Sequence, residues 1–410
     1  MTAVQLLRHV RKFRWHHKAT AEAETPVVLP SGRAVEVPTF INEFWTSKQR
    51  AAHGLHEISY RACFKPQLPR FFIDRLTDTG ATVYDPFAGR GTTPLEAALA
   101  WRVPVACDVN PLTAVLLTPR FCPPTLAQVE ERLAAIDFST PADHPRDLRV
   151  FYQRDTLREI CALREYLLTR ARAGTLDDVD RWIRMVAVNR LTGHSAGFFS
   201  VYTLPPNQAT SVQAQRKINR ERGQTPTRRD VPALILRKTR TLLANCDTET
   251  RAALAAVRHH HLVLTGAAHK TPRIPSCSVD LVVTSPPFLN VVNYAGDNWL
   301  RCWFCGIDPD TVHLTNVHSV SDWKHEMTRV FHELHRVLKV GGCIAFEVGE
   351  VRKGRVRLEE TVVPAGVATG LEPVFILINA QRFTKTAAVW GVDNNTRGTN
   401  TNRVVVFTKR

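Results

Sequence analysis

Hydrophobic positions along the chain follow two periods. Short apolar runs bounded by turn residues begin near residues 82, 103, 262, 279, 343, 374 and 404. Examples are Val103-Pro104-Val105-Ala106-Cys107, Val279-Asp280-Leu281-Val282-Val283 and Cys343-Ile344-Ala345-Phe346-Glu347-Val348. Runs of this length and composition predict buried strands. Elsewhere the spacing is helical. Phe72, Ile73 and Leu76 share a face, as do Trp323, Met327, Val330, Phe331, Leu334, Val337 and Leu338, with Lys339-Val340-Gly341-Gly342 read as the C-cap of that second helix. The first five strands are joined through helical segments, which predicts a parallel, doubly wound α/β sheet. The last two close it as a hairpin. From Thr125 to about Arg258 the apolar spacing is helical, with a stretch of no periodicity at 189–230: Leu126, Val129, Leu133 and Ile136 recur at one spacing, and Val179, Trp182, Ile183 and Val186 at another.

Composition narrows the class. The chain has 410 residues and 44% hydrophobic content, enough for one large domain with an insertion, or two domains. Lys and Arg number 54 against 38 Asp and Glu, a net charge of +16. That balance favours a polyanionic partner such as nucleic acid, although a generally basic soluble protein has it too. Nine cysteines are scattered along the chain, only Cys302 and Cys305 at Cys-x-x-Cys spacing and with no second such pair, so neither a zinc site nor a disulfide framework is implied, and a reducing cytoplasm fits. No metal is expected at His259-His260-His261, because alternation turns the middle ring away and no partner is spaced for a site. No run of apolar residues is long enough to span a membrane, and no signal-peptide pattern is present.

Two motifs carry chemistry. Val83-Tyr84-Asp85-Pro86-Phe87-Ala88-Gly89-Arg90-Gly91-Thr92-Thr93 reads as strand, glycine turn and helix. Such a turn frees helix N–H groups for a polar ligand and lets it approach the backbone closely. The second strand ends in Asp108-Val109-Asn110, where an acid about 20 positions after the glycines can grip ribose hydroxyls. Far downstream, a buried strand runs into Thr284-Ser285-Pro286-Pro287-Phe288. Taken together, in this order, the motifs resemble those of the S-adenosylmethionine-dependent DNA amino-methyltransferases, which methylate N4 of cytosine or N6 of adenine. The resemblance covers roughly residues 61–122 and 262–410.

The resemblance implies a Rossmann-like, seven-stranded methyltransferase sheet that binds S-adenosylmethionine. Implied cofactor contacts are Phe64, Lys65 and Pro66, in a lid before the first strand, and Asp85, Pro86, Phe87, Gly89, Gly91, Thr92, Thr93, Asp108, Val109, Asn110 and Thr284. An acid that often follows the third strand in the family is missing, since that segment reads Gly266-Ala267-Ala268-His269. Ser285, Pro286, Pro287 and Phe288 match the catalytic motif. An exocyclic amine is a poor nucleophile because its lone pair is delocalised into the ring. Acceptors on its two N–H groups favour the tetrahedral geometry needed for attack. The Ser285 side chain and the Pro286 carbonyl can be those acceptors, two prolines hold the turn rigid, and Phe288 offers a face for the base. The target base must leave the duplex to reach them. Within the family the Ser-Pro-Pro form is commoner in N4-cytosine enzymes, so cytosine is favoured over adenine. The Pro-Cys-Gln nucleophile of carbon-5 methylation is absent.

The expected organisation is an N-terminal extension at 1–60, a catalytic domain at 61–122 and 262–410, and a helical insertion at 123–261 for target recognition. The basic, aromatic stretch Arg8 to Lys18 reads either as a phosphate contact or as a solvated tail. Double-stranded DNA is the expected partner. Its expected contacts are Asn207, Gln208, Arg216, Arg220, Arg228 and Arg229 in an aperiodic stretch of the insertion, and Asn395, Arg397 and Arg403 near the end, where the family's polar loop lies. A solvated charged surface is the bland reading of the same residues. A cognate restriction endonuclease is a further partner that the resemblance leaves open. An RNA methyltransferase of related fold and a non-catalytic DNA-binding protein are the competing readings.

Overall fold

The computed structural model describes residues 1–46, 52–60, 63–139, 145–204, 209–287, 294–312, 319–348, 350–351, 356–380 and 401–410. The strands are β1 (Arg14–Trp15), β2 (Lys18–Ala19), β3 (Ala21–Val28), β4 (Ala34–Asn42), β5 (Thr82–Asp85), β6 (Val103–Asp108), β7 (Leu262–Thr265), β8 (Val279–Thr284), β9 (Leu338–Val348), β10 (Glu350–Val351), β11 (Val356–Arg357), β12 (Leu371–Ala380) and β13 (Thr401–Lys409). The helices are α1 (Ala3–Lys12), α2 (Gln67–Leu76), α3 (Thr92–Leu99), α4 (Leu112–Leu117), α5 (Leu126–Ala135), α6 (Arg154–Arg172), α7 (Asp178–Val188), α8 (Val212–Glu221), α9 (Val231–Leu243), α10 (Thr248–Val257), α11 (Tyr294–Cys305), α12 (Val320–Val337) and α13 (Glu359–Val367).

One large sheet runs in the order β3-β4-β12-β13-β9-β8-β5-β6-β7. β9, β8, β5, β6 and β7 are parallel, and β13 is antiparallel to both β9 and β12. All seven expected strands are present, and the chain steps outward from β5 through β6 to β7, then reverses to β8 and β9. The reversal puts a crevice at the carboxyl ends of β5 and β8, where open α/β sheets bind ligands.

Among the described residues the sheet has nine strands rather than seven, because the N-terminal extension adds two. β4 pairs in parallel with β12, and β3 pairs with β4. Nor is the segment before them a tail. In α1, Ala3, Leu6 and Val10 lie on one buried stripe, and Thr2 forms a capping box with Gln5. Its interleaved basic residues hid that stripe. β3 reads Ala21-Glu22-Ala23-Glu24 and is largely exposed, as suits an edge strand whose charges discourage further pairing. Fully buried Asn379 accepts from the N–H groups of Phe44 and Trp45 at 2.7 and 3.3 Å, fixing the chain as it leaves β4.

Helices α5 to α10 fill the interval between β6 and β7, as the period indicated. Their apolar faces (Val129, Leu133, Trp182, Ile183, Leu234) merge with Leu95, Ala98, Leu112 and Leu116 of the sheet-flanking helices in one hydrophobic cluster. Leu300 and Phe304 of α11 join it. The α12 stripe is buried as expected. The glycines after it are not a cap: the chain passes straight into β9, and Gly341 at φ +79° sits where three extra residues interrupt the pairing between Val279–Leu338 and Leu281–Cys343. No helix of the described residues is long and apolar enough to cross a membrane.

Candidate active site

The glycine turn stands at the crevice. Gly89 and Gly91 have φ of +52° and +78°, and Gly91 is the N-cap of α3. A Cβ on Gly91 would lie 2.6 Å from Leu117 Cδ1. Gly91→Ala is therefore expected to cost about 2–4 kcal/mol, from left-handed strain plus overpacking. Thermal unfolding would show it, and an unchanged Tm would contradict it.

Between the two glycines, the side chain of Arg90 is buried and faces the segment before α2. Its guanidinium donates to the carbonyls of Ile58, His56 and Phe64 at 2.9, 3.4 and 3.5 Å. The Tyr60 ring lies against the Gly89 backbone, 3.7 Å from where a Cβ would stand. The Tyr60 hydroxyl accepts from Asn110 Nδ2 at 3.3 Å. The contacts against the turn thus begin upstream of Phe64, at His56, Ile58 and Tyr60, which were not among the expected contacts. A basic residue inside a glycine turn was the available signal. Pro66 precedes the first turn of α2, and burial beside Arg90 pulls the Lys65 ammonium below its ordinary pKa. Pro86 is buried and Phe87 half-buried against the neighbouring core.

Two carboxylates end β5 and β6. Asp85 is 1% exposed and accepts from the Thr284 hydroxyl at 2.6 Å and the Phe87 N–H at 3.1 Å. Burial pushes its pKa up to about 7 despite those donors. Asp108, half-buried, accepts from the Gly89 N–H at 2.7 Å and the Asn110 N–H at 2.9 Å. Burial raises its pKa as well. Thr92 and Thr93 are buried in the first turn of α3, and Thr93 Oγ1 donates to Val283 O at 3.0 Å. Thr93 and Thr284 therefore lock the glycine turn to the end of β8. Val109 is half-buried between Asp108 and Asn110.

Ser285 follows directly. Its hydroxyl hydrogen-bonds Glu347, near the end of β9. Glu347 is 6% exposed and also accepts from Asn402 Nδ2 at 3.0 Å. Burial raises the pKa of Glu347, and these two donors oppose the rise. A hydroxyl that gives its proton to a carboxylate keeps its lone pairs for another donor. Pro286 is buried, and no donor among the described residues bonds its carbonyl. Pro287 is exposed, its carbonyl held by Trp323 Nε1 at 2.9 Å. Phe288 lies outside the described residues. Glu347 and Asn402 were missed from sequence. A lone acid at the carboxyl end of an otherwise apolar strand was the signal for Glu347.

The residues expected to touch DNA divide. Asn207, Gln208, Asn395 and Arg397 lie outside the described residues. Arg216 and Arg220 are exposed on α8, Arg216 paired with Asp147 at 3.0 Å. Arg228 pairs with Glu159, and Arg229 is half-buried with its N–H and carbonyl on Thr156. The described part of 189–230 is ordered. Phe198 packs on Gly193, and the Thr203 and Phe199 N–H groups donate to the Gly193 and Arg190 carbonyls. Aperiodic spacing concealed a compact loop built on two buried phenylalanines. Arg403 departs from expectation: its guanidinium is turned onto buried Glu359 at 2.5 Å, so it serves an internal ion pair, not solvent. The segment leading into α8 is tied to α11, through Ala209 N–H to Asp297 O at 2.8 Å and Trp299 Nε1 to Thr210 O at 3.2 Å.

A mostly parallel sheet with a switch point, a glycine turn after β5 and an acid at the end of β6 define a Rossmann-like fold. No family model matches the chain. It is 21% identical over 299 residues to the Type II methyltransferase M.BsoBI of Geobacillus stearothermophilus, matching 67% of this chain and 57% of the relative, so it spans little more than half of that relative's length. Among solved structures, a "putative DNA modification methylase" of Thermus thermophilus, complexed with S-adenosyl-L-methionine, is 22% identical over 33% of this chain and 49% of its own, at a TM-score of 0.21. The rRNA methyltransferase aviRa of Streptomyces viridochromogenes is 12% identical over 89% and 92%, at 0.34.

Proposed function

We propose that the protein is an S-adenosylmethionine-dependent DNA methyltransferase that methylates the N4 amine of a cytosine flipped out of the duplex. The observation that carries this reading is the placement of Ser285. Its hydroxyl is held by Glu347 at the same sheet edge as the glycine turn, one residue from the Thr284–Asp85 bond. The sequence likeness to a Type II methyltransferase supports it.

The residues present fit the cofactor. Asp85 is a buried carboxyl whose ionised form needs a cation nearby, and S-adenosylmethionine carries cationic groups. Asp108 uses one lone pair on each oxygen for the turn, which leaves acceptor capacity for ribose hydroxyls. Tyr60 lies beside Gly89, and Phe64, the first of the expected lid residues, is tied to the turn through Arg90. When bound, the cofactor supplies an activated methyl group. The Ser285 oxygen and the Pro286 carbonyl receive the N–H groups of the amine and hold it as it becomes tetrahedral. Glu347 and Asn402 orient the serine. Residues 123–261, with Arg216 and Arg220 exposed on α8, face the target duplex.

The cofactor assignment predicts a pH dependence. Because the Asp85 pKa is raised to about 7, a cationic ligand draws its proton off on binding at lower pH. Affinity for S-adenosylmethionine is expected to rise up to about pH 7 and level off above it, and Asp85→Asn should flatten the profile. Titration calorimetry in buffers of different ionisation heat checks this, and a flat wild-type profile removes Asp85 from the site. The function as a whole is tested by transfer of labelled methyl groups to duplex DNA and to RNA in parallel. Label in RNA alone would overturn the DNA reading.

A further inference from the structure

The hairpin of β1 and β2 has no part in the chemistry above. Arg14 pairs with Ala19 and Trp15 with Lys18, leaving a two-residue turn, His16-His17. Both turn residues have positive φ, 44° and 70°, in a turn that usually takes Asn-Gly. The hairpin is anchored below: Asn42 Nδ2 donates to Lys18 O at 3.3 Å and Thr20 Oγ1 at 3.2 Å, and Thr20 Oγ1 donates to Phe13 O at 3.0 Å. Arg14, His16, His17 and Lys18 are all exposed. Arg11 is paired with Glu22 at 3.0 Å, whereas no acid pairs with Arg14 or Lys18 among the described residues.

Register places this cluster. Glu347, Val404, Leu377, Phe40 and Glu22 lie in one row across five adjacent strands. β3 therefore begins at the level of the sheet edge that carries Glu347 and Ser285, and the hairpin just before it stands on that edge. From β8 to β3 is five strand steps, about 24 Å at ~4.8 Å each. The insertion helices pack toward the opposite end, through α3 and α4. Ser285 thus lies between two basic features.

We infer that the Arg14–Ala19 hairpin is a second contact for the phosphate backbone of the substrate duplex, roughly seven base pairs from the flipped base. The inference rests on the DNA reading of the active site. A rigid turn holding unpaired cations at the catalytic edge suits a polyanion that is already bound there, and phosphate contacts set register without reading sequence.

The double substitution R14Q/K18Q tests it. For a duplex of about 30 base pairs, the slope of log affinity against log salt is expected to fall by about 2, with roughly tenfold weaker binding near 0.1 M salt. On a duplex trimmed to about four base pairs on each side of the target, wild type and variant should bind alike. S-adenosylmethionine affinity should be unchanged, which reports an intact fold. Equal slopes and equal length dependence, with a wild type that methylates the duplex, would overturn the hairpin contact alone. A wild type that transfers no methyl to any duplex would overturn the underlying reading and the hairpin contact with it.

Discussion

Ser285→Ala is expected to lower kcat on the order of 10²-fold while leaving cofactor and DNA affinity nearly unchanged. The substitution spares the backbone of the turn. Pro286 and Pro287 limit it, Trp323 holds the Pro287 carbonyl, and Thr284 and Thr93 fasten the strand end below. What is lost is an acceptor used most fully when the amine becomes tetrahedral, so the loss falls on the chemical step. Glu347 keeps Asn402 as a donor and stays in place. Single-turnover methyl transfer separates this step from binding. A fully active variant would remove the hydroxyl from the mechanism.

Asp108→Ala should weaken S-adenosylmethionine binding by about 1.5–3 kcal/mol, through loss of a charged acceptor for ribose, which is roughly 10- to 150-fold in Kd. The structure shows a second route to the same loss. Asp108 also receives the Gly89 and Asn110 N–H groups, so its removal loosens the turn itself. Asp108→Asn separates the two effects. It keeps one oxygen for a turn N–H and removes the charge, so a milder loss than alanine assigns part of the effect to the turn. Titration calorimetry measures both, and unchanged affinity in the alanine variant would contradict the assignment.

Much of this arrangement is legible in the sequence. All seven strands, the α12 stripe and the glycine turn rest on local patterns, namely apolar runs, helical spacing and punctuating Gly or Pro, and these survive folding. What stayed hidden depends on contacts far apart in sequence. The β3–β4 hairpin reads as charged and weakly apolar because one strand is an edge. Glu347 becomes a partner of Ser285 only when β9 is set beside β8. Arg403 looked like a DNA contact because its neighbours are polar, yet strand alternation turns it onto Glu359. Arg90 finds its partners, the carbonyls of His56, Ile58 and Phe64, only when the segment before α2 is folded against the turn.

The central claim is methyl transfer to the N4 amine of cytosine. It is tested most directly by incubating the protein with S-adenosylmethionine and duplex DNA, digesting the DNA to nucleosides and identifying the methylated species by mass spectrometry. The expected product is N4-methylcytosine, formed by the wild type and strongly reduced with Ser285→Ala. N6-methyladenine as the sole product, or DNA that carries no new methyl group, would contradict it.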